Sequence, residues 1–519
     1  MRFFDRDYLL GGFVFVAVIA NLLLYHYPFL HYVLDHLNFS SSSAYITLLC
    51  AIVALFGVNA FLFYLFAAIS IRLFKVFLIL SFLGNAIAFY FVQTYSVILD
   101  RSMMGNVFNT RYSEASAYYN PQIFLYIFLL GVLPAYVVYK IKLRPVARKR
   151  LVISGVGVLL VSIILLYLNS FTWLWLDKNA KYLGGLSMPW SYSINALRYQ
   201  LKKQRQVKTE KRLPIGKFLD DKKRVVVLII GESARADHFW LYGYSKQTNP
   251  ELSKMNVLVL DPTFSTTTYT TASVASILAY DGSTSNAYEP LPNYLHRMGA
   301  YVEWRTKNWG EPNLKVDHFY QAGELKQRCH GEGCDYDESL LVDLQKSILQ
   351  TKKKKILIVL HTAGSHGPTY YQKYPPSFEH FKPVCKTVDL KQCTKEELYN
   401  AYDNTIYYTD HFLAQAIEKL KKLHIPSMLI YISDHGESLG EYNLYLHGTP
   451  YTIAPEYQKR IPFIVWESSE FLKERGWRTP YIKKVKQYGQ YQIFHTILDA
   501  LSVRSPVYKQ EWDLLVAPK

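Results

Sequence analysis

Cysteine is scarce in this sequence, with five residues in 519. Cys50 lies inside an apolar run, where it packs as a small hydrophobe. The other four form two close pairs in the polar half, Cys329/Cys334 and Cys385/Cys393. Their spacing suits a zinc ribbon poorly and no further ligands accompany them, so they read as two local disulfides made in an oxidising compartment. Acidic residues are also short, 41 Asp and Glu against 58 Lys and Arg, giving a formal net charge of +17. That excess asks for an anionic partner, and beside long apolar runs the partner is anionic lipid rather than nucleic acid. No internal repeat and no low-complexity tract is present, which excludes a repeat architecture. The first apolar stretch lacks a small-residue cleavage site, so it is retained rather than removed as a signal peptide.

Apolar residues are what the chain has in plenty: 50% are hydrophobic and 16% aromatic. Five stretches, 8–29, 44–70, 76–99, 122–139 and 151–176, reach the roughly 20 residues that cross a bilayer. Basic residues orient them. Arg2 and Arg6 precede the first stretch, and Arg72 and Lys75 join the second to the third. Lys140, Lys142, Arg144, Arg148, Lys149 and Arg150 join the fourth to the fifth. All three segments belong in the cytoplasm. Five spans that start inside place the C-terminal half outside, where cysteine pairs oxidise. The outer loop 100–121 is longer than a connection needs and carries polar groups at the membrane surface. Residues 177–222 form a basic linker with Lys202, Lys203, Arg205, Lys208, Lys211 and Arg212, read either as an interfacial helix or as a solvated charged face.

From 223 to 519 buried strands alternate with helical patterns, which predicts a mostly parallel sheet covered on both faces. The predicted strands are 224–230, 300–305, 356–361, 428–433 and 462–466, with a helix over 405–423. Two strands end in chemistry. Glu232 follows the first, where a lone carboxylate otherwise caps a helix. Asp434 and His435, in Asp-His-Gly-Glu, follow the fourth. Open α/β sheets place ligands at such carboxyl ends. The hydroxyl-rich run 265–273 leads into a helix start, where hydroxyls serve as caps or, with the helix dipole behind them, as a nucleophile toward phosphorus. His361, His366 and His447 stand in loops of the same half. With Glu232 and Asp434 they make a mixed N/O ligand set that favours Zn²⁺, with Mn²⁺ as the alternative.

Four motifs carry a resemblance: Gly-Glu-Ser-Ala-Arg at 231–235, Gly-Ser-His-Gly-Pro at 364–368, Ser-Asp-His-Gly-Glu-Ser-Leu-Gly-Glu at 433–441 and Tyr-Leu-His-Gly at 445–448. In this order they resemble the phosphoethanolamine transferases of Gram-negative envelopes, most closely the lipid A type. The resemblance covers nearly the whole chain. It implies a five-helix transmembrane domain at 1–176, a bridging linker at 177–222 and a periplasmic α/β domain at 223–519 of the alkaline phosphatase/sulfatase kind. It implies an inner-membrane, multi-pass monomer with a cytoplasmic N-terminus. Phosphatidylethanolamine would be the donor and lipid A or another anionic envelope molecule the acceptor.

Position by position, the resemblance makes Glu232, Asp434 and His435 ligands of a catalytic zinc. Thr270 becomes the nucleophile and a further ligand, with the adjacent Thr271 as the competing assignment. His366 and His447 become a second metal site or a site for substrate phosphate. Asn106, Thr110 and Glu114 in the outer loop become contacts to the ethanolamine headgroup, and the two cysteine pairs match family disulfides. The chain departs from the family in one respect: a further disulfide brackets the nucleophile there, and Thr266 and Ser276 stand in its place here. Three rival readings fit the sequence less well. A sulfatase needs a Cys/Ser-x-Pro-x-Arg setting that is missing around Thr270. A phosphoglycerol transferase would use the same metal chemistry on another lipid. A silent envelope scaffold would bind no zinc.

Overall fold

The computed structural model describes residues 6–37, 39–40, 42–109, 120–168, 170–207 and 210–516. They form two compact units: one runs to Met104 and resumes from 120 to Tyr199, and the other takes 105–109 and the residues from Gln200 onward.

In the first unit four helices are long and apolar enough to cross a membrane: Ser43–Ile69, Ile71–Tyr95, Gln122–Lys140 and Arg148–Tyr167. The stretch expected to span first is bent. Leu10–Tyr25 and Tyr27–Asp35 meet at 62°, and together they make a fifth candidate span. Pro28 stands in the first turn of the second piece. There its missing N–H is harmless, whereas inside a continuous helix its ring would meet a carbonyl four residues back. The stretch expected over 151–176 is also divided. A new helix begins at Ser170 and runs to Leu186, after the polar pair Asn169-Ser170 interrupts the apolar run. A further helix, Trp190–Val207, occupies the region read as a basic linker. Lys208 and the side chains of Lys202, Lys203 and Arg205 lie outside the described residues.

Small and polar residues hold this unit together, as expected where lipid gives helices no hydrophobic reason to associate. A Cβ on Gly57 would come within 2.1 Å of Ser162 Oγ, so only glycine allows that approach. Asn21 Nδ2 donates to Asn59 Oδ1 at 3.2 Å and to the Met188 carbonyl at 3.1 Å, and Asn85 Nδ2 donates to Asn21 Oδ1 at 2.8 Å. Trp190 Nε1 and the Tyr192 hydroxyl complete the network on Asn59 and Asn85, each at 3.0 Å. Three apolar helices and the start of Trp190–Val207 are thereby fixed by satisfied amides.

In the second unit the sheet comprises β1 (Arg224–Gly231), β2 (Val257–Val259), β3 (Tyr301–Thr306), β4 (His318–Gln321), β5 (Lys355–His361), β6 (Ser427–Ser433) and β7 (Phe463–Glu467). Their order is β2-β7-β6-β1-β5-β3-β4. The strands β6, β1, β5, β3 and β4 run parallel, and β7 opposes both its neighbours. Every residue of β1, β3, β5, β6 and β7 is buried, which is why β1, β5, β6 and β7 read as nearly continuous apolar runs rather than alternating ones, while β3 carries a buried ion pair between Glu303 and Arg305. The helix Lys395–Lys421 begins ten residues before the periodicity suggested, at a capping box in which Thr394 and Glu397 satisfy each other's backbone N–H. Disulfides join Cys329 to Cys334 and Cys385 to Cys393.

Glu467, at the end of β7, is buried with one oxygen lacking a hydrogen-bond partner. Burial pushes its carboxyl up from 4.5 to about 7, against the pull of the Tyr481 N–H and Arg475. A raised folded-state value means that the folded protein holds a proton the unfolded chain has released. This contribution to stability is complete below the unfolded value and is lost as pH rises toward the folded one. Glu467→Gln is therefore expected to flatten part of the fall in melting temperature between pH 4.5 and 7, read by thermal melts of the two proteins across that range.

Candidate metal centre

Register brings the chemistry together. Gly231 on β1 pairs with Ser433 on β6, and Ile230 pairs with His361 on β5. Glu232 and Asp434 therefore leave the sheet at neighbouring strand ends. Ser233, next in chain, holds φ at 55°, a left-handed conformation costing a non-glycine residue on the order of 1–3 kcal/mol. Three bonds compensate it. Ser233 N–H donates to Asp434 Oδ1 at 3.1 Å, its hydroxyl donates to Glu232 Oε1 at 2.7 Å, and its carbonyl accepts the Tyr402 hydroxyl at 2.7 Å.

Thr270 opens the helix Thr270–Leu278. Its hydroxyl lies 3.1 Å from Glu232 Oε2 and 3.3 Å from His435 Nε2. The Thr271 hydroxyl is buried and has no hydrogen-bond partner among the described residues. His435 Nδ1 is 3.0 Å from the Gly436 carbonyl. A carbonyl only accepts, so Nδ1 carries the ring proton and Nε2 turns its lone pair toward the cluster. From Nε2 it is 3.4 Å to Glu232 Oε1 and 3.2 Å to Asp434 Oδ2. Asp434 Oδ2 is buried and receives no hydrogen bond from the described residues, although Oδ1 accepts the N–H of Ser233 and, at 2.7 Å, of His435. Four lone-pair atoms thus converge: two carboxylate oxygens, an imidazole nitrogen and a hydroxyl. Such a set is mutually repulsive unless a cation sits among it, and its mixture of O and N donors suits a divalent metal.

Titration runs the same way. Burial raises Asp434 well above the ordinary carboxylate range, and the facing Glu232 adds to it. Burial would raise Glu232 too, but His435, His366, His447 and the Ser233 hydroxyl together hold it below its usual value. Burial pushes His435 down to about 3, with His447 adding to the effect, and likewise pushes His366 down to about 3. Both rings are neutral near pH 7, the form in which an imidazole ligates.

The second group of sequence candidates lies alongside. The rings of His435 and His447 are 4.2 Å apart between centroids, and those of His366 and His447 5.2 Å. Ligand atoms of Glu232, His435 and His447 all fall within 4.8 Å of one another, so the two stations expected from sequence are contiguous. His366 rides on the turn after β5, where Asp337 accepts the N–H groups of Ala363 and Gly364 at 2.9 and 3.0 Å. Asn106 is buried on the helix Arg101–Asn109. A Cβ on Gly448, the neighbour of His447, would lie 3.5 Å from its Nδ2. Thr110 and Glu114 lie outside the described residues.

Two further groups escaped sequence reasoning. Asn308 Nδ2 donates to Glu232 Oε2 at 2.6 Å and to the Thr362 carbonyl at 3.0 Å. Thr306 at the end of β3 pairs with His361, so the strand-end rule that picked out Glu232 also leads to Asn308. Glu437 is fully buried, with Oε1 3.4 Å from His447 Nδ1, and it stands in the same Asp-His-Gly-Glu run as Asp434.

Comparison with known proteins agrees with this architecture. Residues 224–503 match the sulfatase family model, and residues 55–204 match that of phosphoethanolamine transferase EptA/EptB. The chain is 42% identical over 504 residues to phosphoethanolamine transferase EptA of Helicobacter pylori, covering 95% of this chain and 94% of that one. It superimposes on the integral membrane lipooligosaccharide phosphoethanolamine transferase A of Neisseria meningitidis with a TM-score of 0.87 at 27% identity, over 97% of each chain. The periplasmic domain of EptC from Campylobacter jejuni matches at 35% identity and a TM-score of 0.52, covering 59% of this chain and 97% of that domain. With helices of membrane-spanning length before a sulfatase-type sheet, and a near full-length relative at 42% identity, the chain belongs to the EptA/EptB family of phosphoethanolamine transferases.

Proposed function

We propose that this transferase takes phosphoethanolamine from phosphatidylethanolamine and passes it to a phosphate of lipid A through an ester on Thr270. The observation that carries this reading is the Thr270 hydroxyl, within 3.1 Å of Glu232 Oε2 and 3.3 Å of His435 Nε2 at a helix N-terminus. In the first step Thr270 Oγ1 attacks the donor phosphorus and the bond from phosphorus to the glycerol oxygen breaks. The hydroxyl proton ends on the glycerol oxygen of the departing diacylglycerol. In the second step a phosphate oxygen of the acceptor, as the singly protonated monoester, attacks the same phosphorus, the bond to Thr270 breaks, and the proton the acceptor phosphate carried passes to Thr270 Oγ1. The free N–H groups at the helix start face the charge that builds on the phosphoryl oxygens. The buried His366 and the partly buried His447 would donate to those oxygens, in the manner of a preorganised oxyanion site.

Glu232, Asp434, His435 and the Thr270 hydroxyl would hold zinc, which supplies Lewis acidity that lowers the hydroxyl's pKa and offsets phosphoryl charge. Few ligands of mixed O and N type favour zinc over manganese. Asn106, with Thr110 and Glu114 a few residues on in the sequence, would receive the ethanolamine end. The basic segments support a cytoplasmic N-terminus and a periplasmic catalytic unit, in a chain that would act as a monomer.

The test supplies purified full-length protein with headgroup-labelled phosphatidylethanolamine and lipid A in mixed micelles. Labelled lipid A and an equal yield of diacylglycerol are expected, with no product from phosphatidylglycerol. A better yield from phosphatidylglycerol would overturn the donor, and diacylglycerol release over unlabelled lipid A would overturn the acceptor.

A further inference from the structure

One buried amide links the nucleophile loop to the strand end that carries Asp434. Gln490 is fully buried in the turn that precedes the helix Ile493–Ala500. Its Oε1 accepts the Thr266 N–H at 2.9 Å. Its Nε2 donates to the carbonyls of Ser433 and Asp434, at 3.1 and 2.6 Å. The residues leading into it are registered against the same loop, since Tyr488 and Gly489 pair in parallel with Thr263 and Phe264. From Thr266 a relay of hydroxyls continues. Ser276 Oγ donates to the Gly282 carbonyl at 2.7 Å, so its lone pair receives the Thr266 hydroxyl, also at 2.7 Å. Thr267 Oγ1 and Ser273 Oγ lie 2.9 Å apart. Two hydroxyl rungs, 266 to 276 and 267 to 273, therefore straddle Thr270, and Gln490 pins the same loop to the peptide of Asp434.

We propose that Gln490 and the Thr266–Ser276 rung form a positioning brace that sets where the Thr270 hydroxyl stands relative to Asp434. None of the three touches phosphorus, and each acts through the loop that delivers Thr270. The proposal rests on the reading of Thr270 as nucleophile. Its physical basis is that residues 265–269 lie outside helix and strand and are tied down by scattered single bonds. Among these are Ser265 N–H to the Lys459 carbonyl and Gly448 N–H to the Thr268 carbonyl, each at 2.8 Å. Gln490 and the Thr266–Ser276 rung therefore carry a share of holding Thr270 in place. Displacing a reacting group by 1 Å costs on the order of 100-fold in rate. Gln490→Glu keeps the acceptor for Thr266 but turns two donated bonds into facing oxygens. Thr266→Val and Ser276→Ala each remove the rung while leaving the Thr266 N–H in place.

The test assays the purified full-length variants on phosphatidylethanolamine, with zinc content and melting temperature measured on the same samples. Expected is a kcat at least tenfold lower for Gln490→Glu and a smaller loss for Thr266→Val and Ser276→Ala, with KM within about twofold of the parent. Zinc content and melting temperature of the two hydroxyl variants should match the parent, and Thr266→Ser, which restores the hydroxyl, should recover kcat. Parental kcat in Gln490→Glu and Thr266→Val, beside an inactive Thr270→Ala, refutes the brace while leaving the nucleophile reading intact. Losses that merely follow lost zinc or lowered melting temperature in all three variants also refute it, because that is ordinary structural support. A Thr270→Ala protein that still transfers overturns the nucleophile reading beneath the brace.

Discussion

Asp434→Asn is expected to empty the centre of zinc and to lower transfer by well over the 10- to 100-fold that loss of an outer partner costs a metal site. The substitution is nearly isosteric and retains an oxygen for the N–H groups of Ser233 and His435, which Oδ1 now accepts at 3.1 and 2.7 Å. What it replaces is Oδ2, the buried oxygen that receives no hydrogen bond from the described residues and lies 3.2 Å from His435 Nε2. An amide nitrogen there has no lone pair to give a cation. Stability should move the other way. Burial and Glu232 push Asp434 up, so a carboxylate at this position is unfavourable without metal, and the metal-free variant should melt at or above the metal-free parent. Zinc stoichiometry by atomic emission, with melts before and after chelation, reads both effects. Full zinc occupancy in the variant would remove Asp434 from the ligand set.

Thr270→Ala is expected to abolish the covalent phosphoethanolamine adduct and to reduce transfer by about 10⁴-fold or more, the scale on which losing a nucleophile acts. Zinc should remain bound, because both carboxylates and the imidazole are untouched. Thr271→Ala should stay within a few-fold of the parent, since the Thr271 hydroxyl has no hydrogen-bond partner among the described residues and the Thr270 hydroxyl is the one within reach of Glu232 and His435. Intact mass after rapid quenching, with phosphatidylethanolamine present and acceptor withheld, measures the adduct. Its appearance in Thr270→Ala and loss in Thr271→Ala would exchange the two residues' roles.

The strands of the core were legible because burial on both faces makes them predominantly apolar, with the paired Glu303 and Arg305 of β3 the exception, and each predicted one lies within a residue of its observed limits. The edge strands β2 and β4 were not, being short and partly exposed, so no run or alternation marks them. The bent first span was written in Pro28, but hydropathy averages over single residues and passes across it. The helix Lys395–Lys421 was underestimated because Asn400, Asp403 and Asn404 in its early turns are buried polar residues, which periodicity counts as exposed. At the centre, strand ends and motif runs pointed to Glu232, Asp434 and His435. Asn308 and Gln490 carry no motif: an amide that bridges two loops is visible only once both loops are in place.

The pairing of Gly231 with Ser433 has a consequence for how such a chain can change. Glu232 and Asp434 step off the same rung of two adjacent strands, so their spacing is a property of the ladder rather than of either loop. Deleting one residue from β1 or β6 would invert every side chain beyond the cut and carry one carboxylate to the far face. The sheet works as a ruler: insertions and exchanges that retune substrate choice are confined to the connecting segments, and the spacing of the two acids stays as it is.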